Sequence, residues 1–297
     1  MAPASPAPAG AVTRMVPAPG GRLHLSDHPG QDPPLVLLHG FPDDARIYDR
    51  LAPLLAPRRA VAIDWLGYGR SDRVQPDPAD PTPHHQQQLG AVLDGLGLDR
   101  VVLVGHDAGG PDAIDYAVAQ PGRVAQLVLL NTYYGHAPTL RLPEAIRLLA
   151  DPNLAPLADA MLADPNLRLW LLGHTARRFG LDPADPAGVA TVAVAPQFFG
   201  DAAGPDALAA VRAWTAALFA SLDRQDAQIA AGHLAGLELP VTVVFGAADR
   251  YLNPDLARQL VGLFRHAELH LVQGASHWPQ WDRPELVARL LTRATAR

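Results

Sequence analysis

The run Val101-Val102-Leu103-Val104 leads directly into Gly105-His106-Asp107-Ala108-Gly109, and no other stretch of the 297-residue chain constrains its fold as strongly. A short apolar run rich in β-branched residues has the character of a buried strand. Gly-x-Asp-x-Gly after such a run predicts a sharp strand-to-helix turn, because the small flanking residues leave room for a strained backbone that presents the central side chain. That central residue is an aspartate. With an ordinary pKa of about 3.9 it is ionised at neutral pH and needs no base to activate it. Attack on an ester or amide would yield an anhydride more reactive than the substrate, whereas attack on a saturated carbon bearing a leaving group yields a stable alkyl ester. The elbow therefore points to displacement at carbon, with epoxides and alkyl halides as the substrate classes.

Similar strand runs occur at Leu35–Leu38, Ala60–Ile63, Leu127–Leu130, Val241–Phe245 and Leu269–Val272. Amphipathic helical patterns lie near 46–56, 84–97, 109–120, 254–264 and 284–295. This alternation predicts an α/β fold with a mostly parallel, doubly wound sheet. Between Tyr134 and Leu239 the rhythm stops. Helical patterning there is punctuated by Asp151-Pro152, Asp164-Pro165, Asp182-Pro183 and Asp185-Pro186, with no strand run. Such a block reads as an inserted helical cap over 135–235, between core segments 21–134 and 236–297.

The Pro- and Ala-rich start, 1–20, reads as a disordered tail without the positive region and apolar stretch of a signal peptide. Formal charge is -6 and all 24 basic residues are Arg, which argues against a nucleic-acid surface. Absence of Cys removes disulfides and thiolate chemistry. No unbroken stretch of about 18 apolar residues marks a membrane span. A cytoplasmic monomer or homodimer acting on a small-molecule substrate, with no metal and no cofactor, is the resulting expectation.

Three further positions complete a constellation. Asp249 follows one strand run in Phe245-Gly246-Ala247-Ala248-Asp249, and His277 follows the last in Gly274-Ala275-Ser276-His277-Trp278. Nucleophile, acid and histidine thus each lie just beyond a strand end, where open α/β sheets build their sites. The turn Leu38-His39-Gly40-Phe41-Pro42 can aim the Phe41 N–H at the same point as that of Ala108, making an oxyanion hole.

Together with Asp64-Trp65-Leu66-Gly67-Tyr68-Gly69-Arg70-Ser71-Asp72, these motifs make the chain resemble the α/β-hydrolase superfamily, in its branch of epoxide hydrolases and haloalkane or haloacid dehalogenases. The resemblance covers roughly 20–134 and 236–297, and casts His39, Asp64 and Ser71 as structural. It implies that Asp107 forms an alkyl-enzyme ester, which water activated by His277, oriented by Asp249, then hydrolyses. Departures bear on the substrate. Ala108 and Phe41 stand where haloalkane dehalogenases carry the Trp and Asn that hold halide, and Ala108 and Pro111 stand where fluoroacetate-type enzymes carry a carboxylate-binding Arg pair. Epoxide hydrolases protonate the ring oxygen with two cap tyrosines, and no Tyr occurs between 135 and 235. Tyr133, Tyr134, His136, His174 or His233 are then the available proton donors.

Tyr133, Tyr134, His136, Trp170, Trp214 and Trp278 are expected around the substrate, and Phe179, Phe198, Phe199 and Phe219 add apolar surface to the cap. Opening of an epoxide on an apolar small molecule is the expected reaction. Dehalogenation is the alternative, as is a non-hydrolytic or ligand-binding use of the fold.

Overall fold

Eight strands form one sheet in the computed structural model, which describes residues 10–73, 84–199 and 205–294. They are β1 (Val12–Ala18), β2 (Gly21–His28), β3 (Gln31–Leu38), β4 (Arg58–Ile63), β5 (Val101–Asp107), β6 (Val124–Thr132), β7 (Val241–Gly246) and β8 (Ala267–Val272). Their spatial order is β1-β2-β4-β3-β5-β6-β7-β8. From β4 to β8 all neighbours are parallel, while β1 and β2 close one edge in antiparallel pairing. Leu35–Leu38, Ala60–Ile63, Val101–Val104 and Leu127–Leu130 are buried on both faces, as parallel strands covered by helices must be.

Helices α1 (His85–Gly95) and α2 (Gly109–Ala119) flank β5. Between β6 and β7 come α3 (Glu144–Ala150), α4 (Ala155–Ala163), α5 (Pro165–Arg178), α6 (Ala195–Phe199) and α7 (Pro205–Ala230), with no strand among the described residues. The Asp-Pro punctuation works as expected at α5, where Asp164 accepts from Asn166 N and Leu167 N as a cap ahead of Pro165. The C-terminal part carries α8 (Pro254–Val261), α9 (Pro279–Asp282) and α10 (Pro284–Ala294). No helix among the described residues is long and apolar enough to cross a membrane.

Two expectations need correction. Residues 1–9 lie outside the described residues, but 12–18 of the expected tail form β1, in register from Val12 opposite Asp27 to Ala18 opposite Gly21. Asp27 ties this edge down by accepting from Arg14 and Arg59. The helix expected near 46–56 is instead two 3₁₀ turns, Ala45–Tyr48 and Ala52–Leu55. Pro53 supplies no N–H and breaks any longer helix.

β3 and β5 are neighbours whose connections leave in opposite directions, β3 to β4 on one side and β5 to β6 on the other. This is the switch point at which such sheets open a crevice. The elbow sits there because nothing larger than glycine fits behind it. A Cβ on Gly105 would lie 2.5 Å from the Gly109 carbonyl oxygen, and one on Gly109 would lie 2.6 Å from those of Leu38 and His39. Both obstacles are backbone and cannot swing aside. Gly105→Ala should therefore destabilise the protein by about 2–3 kcal/mol. Urea unfolding should show a lower midpoint at unchanged slope, and an unaltered midpoint would contradict this packing.

Candidate active site

Asp107 ends β5 with φ 50, a left-handed conformation that costs energy for a residue bearing a Cβ. The surroundings hold it there. Thr132 Oγ1 donates to the Asp107 carbonyl at 2.6 Å, and Phe41 N donates to its Oδ1 at 3.0 Å. The Ala108 N–H also supports the carboxylate's charge. Both expected oxyanion donors thus support the carboxylate of Asp107 itself, leaving Oδ2 to face His277 Nε2 at 3.7 Å.

His277 Nδ1 lies 2.7 Å from Asp249 Oδ2. A carboxylate can only accept, so Nδ1 carries a proton whatever the charge of the ring, and Nε2 is the nitrogen turned toward Asp107. Asp249 is itself fixed by Tyr251 N at 2.9 Å, Leu252 N at 3.2 Å and Asn131 Nδ2 at 2.9 Å. Asp107, Asp249 and His277 therefore meet as the sequence suggested.

Electrostatics depart from the sequence reading in one respect. Burial pushes the Asp107 carboxyl up to about 6, against the pull of His277 and the Phe41 N–H, so its pKa is not the ordinary value. It remains about nine-tenths ionised at pH 7. Burial by itself depresses His277, but Asp249 and Asp107 beside it outweigh that and raise it.

A second layer steadies the histidine. His106, pushed down to about 4 by burial and therefore neutral, lies with Nε2 2.9 Å from the His277 carbonyl oxygen, to which it donates. The Trp278 indole N–H donates to buried Asp43 at 3.0 Å. His39 stays structural: its Nε2 accepts from Trp65 N at 3.1 Å and its Nδ1 donates to the Gly40 carbonyl at 2.8 Å. Asp64 accepts from Ala45 N and Arg70 N, while Ser71 Oγ donates to the Asp64 carbonyl, closing the turn beside it.

In front of Asp107 lies a mainly apolar cavity between the sheet edge and the inserted helices. Tyr133, Trp214 and Trp278 line it, as do Phe179 and Phe198. Trp214 stacks on Phe41 at 3.9 Å, and Phe179 packs 4.8 Å from the His277 ring. Tyr134, His136 and Trp170 do not line it, which corrects their expected role. Tyr134 instead donates to Asp115. His136 pairs with Asp226 of α7, and Trp170 is 56% exposed, stacked on His174. His174 and His233 also stand outside the cavity, Phe219 is exposed, and the Phe199 side chain lies outside the described residues.

Residues the sequence reading missed are Asn131, Thr132, Asp43 and Tyr251. The polar pair Asn131-Thr132 directly after the apolar run Leu127–Leu130 was the available signal, because a strand's C-terminal end on this edge faces the site. Among the described residues no three His, Asp or Glu side chains gather in an arrangement that could hold a metal.

Comparison with known proteins agrees with this architecture. The chain matches the alpha/beta hydrolase fold family over residues 33–284. It is 27% identical to a 2-hydroxy-6-oxononadienedioate/2-hydroxy-6-oxononatrienedioate hydrolase of Paraburkholderia xenovorans, over 91% of this chain and 89% of that protein. Haloalkane dehalogenase 2 of Mycobacterium tuberculosis is 37% identical over 44% of this chain and 46% of its own length. Among solved structures, a 2-hydroxy-6-oxo-6-phenylhexa-2,4-dienoate hydrolase from Rhodococcus superposes with a TM-score of 0.80 at 23% identity, covering 97% of this chain and 99% of that one, a likeness of fold. On a match that spans most of its length and a sheet edge built as described, the chain belongs to the alpha/beta hydrolase fold family, as a hydrolase of that fold.

Proposed function

We propose that this hydrolase opens an epoxide on an apolar small molecule through an ester on Asp107, with segment 135–235 acting as a cap over the site. The observation that carries the reading is the posture of the nucleophile: Oδ1 held by the Phe41 N–H at 3.0 Å, and Oδ2 left toward the cavity and His277. Oδ2 attacks the ring carbon and the carbon–oxygen bond breaks. Tyr133 is suited to protonate the departing oxygen. Its side chain lines the cavity, its hydroxyl has no hydrogen-bond partner among the described residues, and burial beside Asp107 keeps its proton on. In the second half His277 takes a proton from water, which adds to the ester carbon. The resulting oxyanion is Oδ1, already held by the Phe41 N–H, with the Ala108 N–H supporting the same carboxyl group. Loss of the product alkoxide, protonated by His277, leaves the second proton of the water on the Asp107 carboxyl, and its return to the Tyr133 phenolate restores both the carboxylate and the donor.

Dehalogenation is the second reading, favoured by the 37% identity with haloalkane dehalogenase 2 and by Trp214, whose indole N–H at the cavity has no partner among the described residues. The Trp278 N–H is already committed to Asp43, so among the described residues Trp214 has no second free indole donor beside it at this cavity. The full-length relatives are named for a 6-oxo-dienedioate, and a carboxylate that attacked such a carbonyl carbon would form a labile anhydride. There Asp107 would serve as a base rather than as a nucleophile.

His277→Gln should trap the ester, because it removes the base needed only in the second half. Incubated with styrene oxide or 1-chlorobutane, the variant should gain the epoxide's mass on the peptide containing Asp107, and faster than it gains a butyl group. Adding Tyr133→Phe should slow epoxide adduct formation by about 100-fold or more. A butyl adduct with released chloride and no epoxide adduct would replace this reading with dehalogenation.

The raised pKa of Asp107 also bears on stability. A folded value of about 6 against an ordinary 3.8 means the native state binds the proton more tightly than the unfolded chain. Stability from this group is therefore present at low pH and lost as pH rises through 6, a cost on the order of 3 kcal/mol. Asp107→Asn keeps the acceptor for Phe41 without the charge. It should melt higher than the parent at pH 8, with the gap shrinking as pH falls below 6. A gap independent of pH would contradict the buried charge.

A further inference from the structure

The far end of the cavity is basic. Arg141 lines both the catalytic cavity and a wider outer one, which also share Leu142 and Tyr251, so the two adjoin at these residues. Arg147, Arg178 and Arg250 stand around the outer cavity, opposed by Glu144 and Asp151. Both acids are already engaged. Glu144 accepts from Arg178 at 3.1 Å and from the Tyr251 hydroxyl at 2.6 Å, and Asp151 accepts from the backbone and side-chain nitrogens of Asn153 at 2.9 and 3.1 Å. Arg141, Arg147 and Arg250 have no side-chain hydrogen bond or ion pair among the described residues. Arg168 also lines the catalytic cavity, among the apolar side chains of Ile146, Leu149, Leu171 and Leu172. This surplus of positive charge sits on a protein whose formal charge is -6, so composition alone does not produce it.

The field along the cavity is thus polarised. At the floor, Asp107 is ionised at neutral pH and repels any anion near the reacting carbon. At the mouth, arginines attract one, and a guanidinium matches a carboxylate in bidentate geometry. Between the two ends the walls favour an apolar chain or ring. We infer that the substrate is amphipathic, with its reactive carbon on an apolar body that enters first and a carboxylate that stays at the mouth on Arg141, with Arg168 lining the same cavity. This rests on the reading that the cavity is the substrate site, but not on which bond Asp107 breaks. Capture from solution should be salt-sensitive, because the outer arginines would steer the anion.

Calorimetric titration at pH 8 with two unreactive probes, 6-phenylhexanoate and 6-phenylhexanamide, tests the inference on the intact protein. The carboxylate should bind at least tenfold more tightly than the amide, and raising salt from 20 to 300 mM should weaken the carboxylate alone. Arg141→Gln, at an exposed position, should remove most of the preference while leaving the amide's affinity as it was, and Arg141→Lys should retain part of it. Equal affinities in the parent, or Arg141→Gln weakening both probes alike, would overturn the carboxylate site. Binding of neither probe would overturn it too, together with the cavity as substrate site, whereas a failed adduct experiment would leave it standing.

Discussion

Keeping the negative charge of Asp107 inside the protein, at the end of β5, is the constraint on which the rest of the site depends. Burial works against that charge and lifts the pKa to about 6. Two backbone N–H groups and the neighbouring histidine work for it, so the carboxylate stays ionised at neutral pH yet is poorly solvated. A poorly solvated anion is a better nucleophile, and donors already in place need no reorganisation when charge moves during reaction. The strained φ at Asp107 and the glycines packed behind it serve this placement.

Fold and site are coupled through strand ends. Phe41 follows β3, Asp107 ends β5, Asn131 and Thr132 end β6, Asp249 follows β7 and His277 follows β8. Since these strands are parallel, all five contributions arrive at one edge, and sheet register sets their spacing. Asn131 joins two of them: its Nδ2 donates to Asp249 while its Oδ1 accepts from Gly246 N at 2.7 Å. The acid that orients His277 is therefore held from the neighbouring strand as well as from its own loop. Beneath the histidine, His106, Asp43 and Trp278 form a buried polar layer, and Phe179 from the inserted helices closes over it.

What could be read from the residues follows a physical divide. Parallel strands buried on both faces announce themselves as apolar runs, and the elbow is carried by glycines that no other residue replaces, so the central sheet and the Asp107–Asp249–His277 set were legible. β1 was not, since an edge strand exposed along most of its length carries Thr13 and Arg14 among its apolar residues and buries only Val16. Tyr133 and Tyr134 are equivalent by composition, and only the path of the backbone after β6 separates one that lines the cavity from one that bonds Asp115. Trp170 illustrates the same limit on a helix. Arg168, Leu171, Leu172, Thr175 and Ala176 share the cavity-facing side of α5, and Trp170 falls on the opposite side. Which side of an inserted helix faces inward is settled by packing between distant segments.

A single turnover in water enriched in heavy oxygen tests the central claim, that Asp107 bonds covalently to substrate, most directly. With enzyme in excess over an epoxide, the first product molecule should carry an unlabelled oxygen from the carboxylate, and mass analysis should find one heavy oxygen in the peptide containing Asp107. Label in the product with none in that peptide would mean that water attacks the substrate directly and that Asp107 acts as a base.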